Sequence, residues 1–431
     1  MTQARAAALE IASAVGRGAR LDVALERAAR ALEPRDRAFV HELVYGVTRL
    51  RGRLDHLLAC RVRGGLARLD PAVLNVLRLG SYQILYMDGV PPYAAVSQAV
   101  AQARAAVGRG AASLVNAVLR SLAADGDPAE PFPRFEEDPA AHLATWGSHP
   151  RWLVDRWLSR WSAAEVRDLV DADNRRSTVH LIPLRASPDD AVRALAERGI
   201  GAQAVGRGTL AVRLEAATTT AAALDALPAL VQDPAAHLVT RYADPPAGTM
   251  VADLCAAPGG KALALAVHSA YTLAADRSEP RMRLVRENAG RTGIRLGMVV
   301  ADARRPPLAS ADAVVLDVPC TGTGTLGRHP DGRWRLAPES LNDMIQLQRE
   351  ILDAGAGLVP RGGVLVYATC SLEPEENHDQ VAEFLTRHPA FGLEPTDAVG
   401  AEYVDADGYL EVLPQRHGFD GAFAARMRRA S

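Results

Sequence analysis

The sequence predicts a multidomain chain: an all-α domain over residues 1–125, a linker over 126–147, a small α+β subdomain over 148–243 and an α/β domain over 244–431. Three observations carry this. At 431 residues the chain exceeds one ordinary hydrophobic core. Residues 4–124 repeat apolar side chains at helical spacing, as in Val73-Leu77, Ala95-Val100 and Leu114-Leu119. From Gly248 onward, apolar strand-like runs alternate with helical segments, the pattern of a parallel sheet with helices on both faces.

Taking the elements in order, Pro34, Gly64-Gly65, Gly80, Pro91-Pro92 and Gly108-Gly110 punctuate the first helices. Asp125-Gly-Asp-Pro-Ala-Glu-Pro-Phe-Pro133, running on to Asp138-Pro139, is rich in proline, glycine and acid and reads as a linker. The subdomain begins with a helix over 152–169. A strand at Val179-His-Leu-Ile-Pro-Leu184, a helix over 187–198 and a strand at Thr209–Leu214 follow. The last domain places strands at 250–255, 271–276, 296–301, 313–317 and 364–369. Its helices are expected over 261–268, 280–292, 338–358 and 374–387.

Composition narrows the class. Hydrophobic residues make up 48% and charged residues 23%, as in an ordinary globular protein. The four cysteines include no CxxC pair, which argues against a disulfide framework or a zinc site, and the histidines show no metal spacing. No apolar stretch reaches the ~20 residues of a membrane helix. The N-terminus is a basic amphipathic stretch without a signal-peptide core, so a cytoplasmic location is expected. The net charge of −2 conceals an asymmetry: residues 1–124 hold 17 arginines against 9 acidic residues. That surplus fits a polyanionic partner met through one end, and fits equally a solvated alanine- and arginine-rich surface. Lys261 is the only lysine, and it lies in a glycine-rich turn where a compact ammonium suits better than a guanidinium.

Two sets of residues point to chemistry. The first is Asp253-Leu-Cys-Ala-Ala-Pro-Gly-Gly-Lys261, a strand that turns on Gly259 and Gly260 into a helix N-terminus with free N–H groups. Asp276 ends the next strand about twenty residues on, where a ribose hydroxyl is expected. Asp302 ends the third, placed to accept from an adenine amino group. Neither a GxGxxG spacing nor a GxxxxGK[ST] loop is present, which disfavours a pyrophosphate ligand. The second set is a pair of thiols. Cys320 and Cys370 each follow a buried-looking strand, Ala313–Asp317 and Val364–Thr369, at the edge where open α/β sheets bind ligands. One such cysteine alone is more often a small buried hydrophobe, but two at neighbouring strand ends point to catalysis. Cys60, within a helical run, reads as a core residue, and Cys255 as a structural member of the cofactor turn.

These motifs, with Asp317-Val-Pro-Cys320, Arg328-His-Pro-Asp331, Ala368-Thr-Cys-Ser371, Val231-Gln-Asp-Pro234 and His417-Gly-Phe-Asp-Gly-Ala-Phe423, resemble the RNA cytosine-5 methyltransferases of the Sun/RsmB family. The N-terminal part resembles their NusB-like RNA-binding domain around Arg35-Asp-Arg37, Glu42–Arg49, Leu77-Arg-Leu-Gly80 and Leu114–Arg120. The match covers nearly the whole chain. It departs at Val318 and at Thr321-Gly-Thr-Gly324, leaving Pro319-Cys320 intact. The resemblance implies a NusB-like all-α domain, a Rossmann-like methyltransferase domain, S-adenosylmethionine as cofactor, no metal, small-subunit ribosomal RNA as partner and a monomer. It assigns the cofactor to Cys255, Ala256, Ala257, Pro258, Gly259, Gly260, Lys261, Asp276, Arg281, Asp302 and Asp317.

Cytosine C5 is a weak nucleophile until a thiolate adds at C6, after which C5 can take a methyl group and a base must remove its proton. The resemblance makes Cys370 the nucleophile and gives Cys320 the release step. Asp317 then faces the N3/N4 edge, and Lys261 steadies Asp317 or a thiolate. Read without the resemblance, the Pro-Cys motif slightly favours attack by Cys320, as in DNA cytosine-5 enzymes. Arg328, His329, Arg333 and Trp334 mix cations with an aromatic and suit RNA phosphate contact and base stacking, although each alone fits a solvated loop equally well. The target base must leave its stack to reach the thiols. Two other readings stay open: an antitermination-type RNA-binding protein with an inert sheet domain, and the same chemistry on transfer RNA or DNA. An amino methyltransferase is disfavoured because Asp317-Val-Pro-Cys320 lacks the aromatic of an Asn/Asp-Pro-Pro-Tyr site.

Overall fold

A computed structural model describes residues 2–124, 131–215 and 219–431. They form two compact units, one of Met1–Arg175 with Leu326–Leu336 and the other of Arg176–Thr325 with Ala337–Ser431.

The first unit is helical, as its periodicity predicts. Helices Gln3–Gly16, Leu21–Ala29, Pro34–Arg49, Arg51–Ala59, Pro71–Tyr86, Pro92–Ala106 and Arg109–Ala124 bury one apolar stripe each around Ile11, Leu43, Val76, Leu77, Val115 and Leu119. Pro34, Pro71 and Pro92 open three of them, where a missing N–H costs nothing. Gly80, expected as punctuation, instead lies inside Pro71–Tyr86. A Cβ there would come within 2.5 Å of Leu119 Cδ1, so the glycine serves close helix packing. Cys60 is exposed at a helix end rather than in the core.

Of the expected linker, 125–130 lies outside the described residues. The remainder is packed: Asp138 caps the helix Pro139–Thr145, and Leu143 is buried. Phe132 stacks on His56 at 4.5 Å and meets Trp146 edge-on. Composition signalled a linker there, but Phe132, Leu143 and Trp146 supply apolar surface to hold the segment down. The expected helix over 152–169 is two helices, Arg151–Leu158 and Ala163–Asn174. The second starts afresh at a capping box between Ser162 and Glu165.

The second unit contains two sheets. Strands β1 (His180–Pro183), β2 (Ala202–Ala204), β3 (Val212–Leu214) and β4 (Ala229–Val231) form an antiparallel sheet in the order β2-β3-β1-β4. The larger sheet uses β5 (Met250–Asp253), β6 (Tyr271–Asp276), β7 (Gly297–Val300), β8 (Ala313–Asp317), β9 (Val364–Thr369), β10 (Phe391–Leu393), β11 (Leu410–Val412) and β12 (Ala422–Arg429). Its order is β10-β12-β9-β8-β5-β6-β7, with β11 on β12. From β5 to β9 the pairing is parallel, and the last three strands return antiparallel. All six residues of β9 are buried, which is why its sequence is an unbroken run rather than an alternation. β5 has β6 on one side and β8 on the other, so the chain reverses its order there. A crevice at the carboxyl ends of β5 and β8 follows from that switch.

Candidate active site

The site is built from what leaves those strand ends. β8 and β9 pair in parallel with Asp317 opposite Ala368, and the Val318 amide extends the ladder to Ala368 O at 3.0 Å. Cys320 therefore stands three residues beyond the paired position and Cys370 two. Their Sγ atoms lie 3.2 Å apart. The contact with Cys370, then burial, then the negative field of Cys370 and Glu376, push the Cys320 thiol well above its usual range.

From β5, the turn over Ala256–Gly259 enters the helix Gly260–Ala266. Gly259 has φ +107°, and a Cβ there would lie 3.2 Å from Val285 Cα, so both backbone hand and space require glycine. Lys261 Nζ donates to Asp317 Oδ2 at 2.7 Å. Burial works against the ammonium, yet Asp317, Asp253 and a charge on Cys370 outweigh it and leave Lys261 raised. Asp253 was read only as part of the turn. It has no exposure, and its Oδ2 has no partner among the described residues. Burial first, and Asp317 second, hold its carboxyl up at about 7.

Asp276 is buried at the end of β6. Its Oδ1 accepts from the Ser278 amide at 2.8 Å and its Oδ2 from the Ala257 amide at 3.2 Å. Arg281 sits 3.7 Å from the same carboxylate and donates to Ala257 O, tying the glycine turn to the β6 end. Asp302, just beyond β7, is paired with Arg304, whose hydrogen bonds take it down to about 2. Cys255 donates its amide to Asp253 Oδ1 at 3.3 Å, and burial drives its thiol well above the usual range, so it is a poor nucleophile.

Comparison with known proteins supplies the family. A profile described as 16S rRNA methyltransferase RsmB/F matches residues 241–428. A NusB family profile matches 2–124, and a ferredoxin-like domain profile of Methyltr_RsmF/B type matches 149–221. Ribosomal RNA small subunit methyltransferase B of Vibrio vulnificus is 32% identical over 97% of this chain and 97% of its own. The protein of the same name from Klebsiella pneumoniae is 33% identical over 98% and 96%. The chain belongs to the RsmB/F family of RNA methyltransferases. The solved structure of PH0851 superposes with TM-score 0.81 at 26% identity, covering 99% of this chain and 98% of its own. The fold class expected from the sequence stands: NusB-like helical domain, small α+β domain and methyltransferase domain.

The four residues expected to touch RNA divide. His329 is exposed and Arg328 half-buried. Arg333 has to be reassigned, because its side chain has 0% exposure. One terminal nitrogen donates to Asn174 Oδ1 at 2.9 Å, Ser148 O at 3.1 Å and Arg49 O at 3.3 Å. The other reaches Asp173 O and Leu326 O, both at 3.2 Å. Such a guanidinium is a framework for 326–336 within the helical unit, with no face left for phosphate. Trp334 is likewise engaged. Its indole N–H donates to Thr48 O at 2.7 Å, and Arg51 covers its ring at 5.1 Å.

Sequence reading also missed Glu376, Gln348, Thr321 and Ser371, a buried network beside the thiols. Pro374-Glu-Glu-Asn377 looks like the acidic start of one helix over 374–387. The structure instead forms a 3-10 turn, Pro374–Glu376, and restarts at His378. Asn377 breaks the run because its side chain is occupied, accepting from Thr369 Oγ1 at 2.6 Å and donating to Ser371 O at 2.9 Å.

Two outcomes test these assignments. Arg333→Lys keeps the charge but cannot span five acceptors from one ammonium. Both it and Arg333→Met are expected to lose about 3 kcal/mol or more in urea unfolding. A loss below about 0.5 kcal/mol would mean that the guanidinium is dispensable to the fold. For Asp253, a folded pKa near 7 exceeds the unfolded value of about 3.9. Its contribution is complete below about pH 4 and is lost as pH rises through about 7. The melting temperature of Asp253→Asn relative to wild type should therefore climb between about pH 4 and about pH 7 and level off above about pH 8. A difference independent of pH would show that Asp253 stays ionised throughout.

Proposed function

We propose that this protein methylates cytosine C5 in small-subunit ribosomal RNA through a covalent bond between Cys370 and C6. The observation that carries the reading is the pair of thiols, 3.2 Å apart at adjacent strand ends, with the only lysine of the chain in the field of Cys370. The names of the relatives support the choice of RNA.

The β5–β6 edge fits S-adenosylmethionine. Each oxygen of Asp276 keeps a lone pair after its backbone bond. Asp253 offers a buried oxygen with no partner among the described residues. Cys255 through Gly260 and Arg281 would line the turn, with Asp276 toward the ribose and Asp302 toward the base. When bound, this cofactor supplies an electrophilic methyl group on a sulfonium.

The chain's own residues do the rest. The Cys370 thiolate adds to C6 and drives electron density toward C5 and N3. Asp317, hydrogen-bonded to Lys261, accepts from the exocyclic amino group and fixes the edge of the ring. The neighbouring ammonium offsets negative charge growing on that edge. Cys320, kept as a thiol, is a poor nucleophile. It stands where a water it orients can receive the C5 proton and pass it to solvent; the C5–H pair then re-forms the C5–C6 double bond and the C6–S pair leaves with Cys370 as thiolate. His329 and Arg328 would meet the flanking RNA.

Wild type, Cys320→Ala and Cys370→Ala, incubated with S-adenosylmethionine and small-subunit ribosomal RNA, separate the roles on denaturing gels. Cys320→Ala is expected to trap a protein–RNA adduct and Cys370→Ala to form none and be inactive. The reverse pattern assigns attack to Cys320. Wild-type methylation of transfer RNA in place of ribosomal RNA would move the substrate and leave the chemistry.

A further inference from the structure

The loops that carry the two thiols share one buried carboxylate. Glu376 has 0% exposure. Its Oε1 accepts from the Thr321 amide at 2.9 Å and from Gln348 Nε2 at 2.8 Å, and its Oε2 accepts from the hydroxyls of Thr321 and Ser371. Thr321 follows Cys320 in the chain, and Ser371 follows Cys370. Gln348 also donates to Pro319 O at 2.9 Å, so the residues on both sides of Cys320 are held by this cluster.

A carboxylate offers about four lone-pair positions, and four donors fill these. None is left over for a substrate proton, so Glu376 acts through its neighbours. The two thiols depend on it unequally. Cys370 leaves directly from β9, which is paired on both sides, and Thr369 beside it is fastened to Asn377. Cys320 comes three residues after β8 on a loop fastened at Pro319 and Thr321 through Gln348 and Glu376. Loss of Glu376 would move Cys320 more than Cys370.

We propose that Glu376 is a positioning residue that sets the Cys320 loop against Cys370 and so governs release of the methylated base. This rests on the thiol roles proposed above. Substitutions can distinguish position from charge. In Glu376→Gln the amide oxygen can face the two donors that cannot turn, the Thr321 amide and Gln348. The new NH2 can then donate to the hydroxyls of Thr321 and Ser371, which rotate to accept. Glu376→Ala supplies neither contact. Thr321→Val keeps the loop's shape and removes one hydroxyl contact.

The test runs Glu376→Ala, Glu376→Gln and Thr321→Val beside Cys320→Ala, with S-adenosylmethionine and small-subunit ribosomal RNA. S-adenosylhomocysteine binding reports folding. Glu376→Ala is expected to lose about 100-fold in turnover, as for a displaced catalytic group, and to accumulate the covalent adduct. Glu376→Gln should restore turnover and clear the adduct, and Thr321→Val should accumulate it to a lesser degree. Unchanged turnover without adduct in Glu376→Ala would overturn the inference. So would a Glu376→Gln that binds S-adenosylhomocysteine yet is as impaired as the alanine variant, which would make the charge the active property. If Glu376→Ala does not fold, absence of adduct in Thr321→Val is the overturning result. An adduct in Cys320→Ala but in neither Glu376→Ala nor Thr321→Val sinks this inference alone. No adduct in Cys320→Ala sinks the thiol roles and takes this inference with them.

Discussion

The parallel pairing of β8 with β9 is the constraint on which the site depends. With Asp317 opposite Ala368, the backbones leave the sheet side by side, and both thiols arrive in contact. Side chains alternate faces along a strand, so a one-residue slip would turn one thiol away from the other. The register is held from the far side as well. β12 runs antiparallel to β9, with Phe423 opposite Thr369, and the Gly421 amide donates to Gly324 O at 2.6 Å while the Gly324 amide reaches Cys370 O at 2.9 Å. The closing motif His417–Phe423 is thus a clamp on the cysteine loops, although it lies about fifty residues downstream of Cys370.

Charge at this edge is arranged around a deficit of cations. Asp253, Asp276 and Asp317 come off neighbouring strands, and one ammonium answers them directly. At an effective dielectric of about 20, two unit charges 4 Å apart interact by about 4 kcal/mol, so three ionised carboxylates facing one lysine would repel one another strongly. The structure divides the burden. Asp317 has Lys261, and Asp276 has two backbone amides and Arg281. Asp253, deepest and least partnered, holds a proton up to about 7. A lysine suits the centre because its charge sits on one atom, against Asp317 and in the field of Asp253 and Cys370, where a planar guanidinium would need a wider gap.

The strands that bear the site were legible because a parallel strand buried on both faces writes itself as an uninterrupted apolar run. Asp276 was legible from spacing, and the Gly259 turn from its glycines. Legibility failed where a side chain's chemistry serves two ends. Arg333 and Trp334 have the residue types of an RNA contact, and also those of an interior tie. Nothing local distinguishes a guanidinium facing phosphate from one facing five polypeptide oxygens. In the small sheet β3, three residues itself, was legible within the longer run Thr209–Leu214, while β2 and β4, also three residues each, went unread. The helix Pro234–Ala243 did carry a signal, Asp233 before Pro234, and Asp233 caps it as that signal would predict. Ser162-Ala-Ala-Glu165 was a similar sign, overrun by the apolar pattern on either side.

Glu376 and Arg333 show one principle at work in each unit. Both are buried charges answered mostly by neutral dipoles, amides and hydroxyls in one case and carbonyls in the other. An isolated buried charge is costly, and spreading it over several fixed dipoles removes most of that cost. The dipoles belong to chain without regular pairing, as at Thr321 and Leu326, or to the last carbonyls of helices, as at Arg49 and Asp173. Each charge therefore imposes a conformation on chain that helix or sheet pairing does not fix. Four or five bonds to one centre also resist distortion together, since moving one segment strains the rest. That is a more demanding constraint than an ion pair, which tolerates rotation about a single contact. The Thr-Gly-Thr-Gly loop after Cys320 gains from such a centre, because that loop has no ladder of its own to keep the thiol in place.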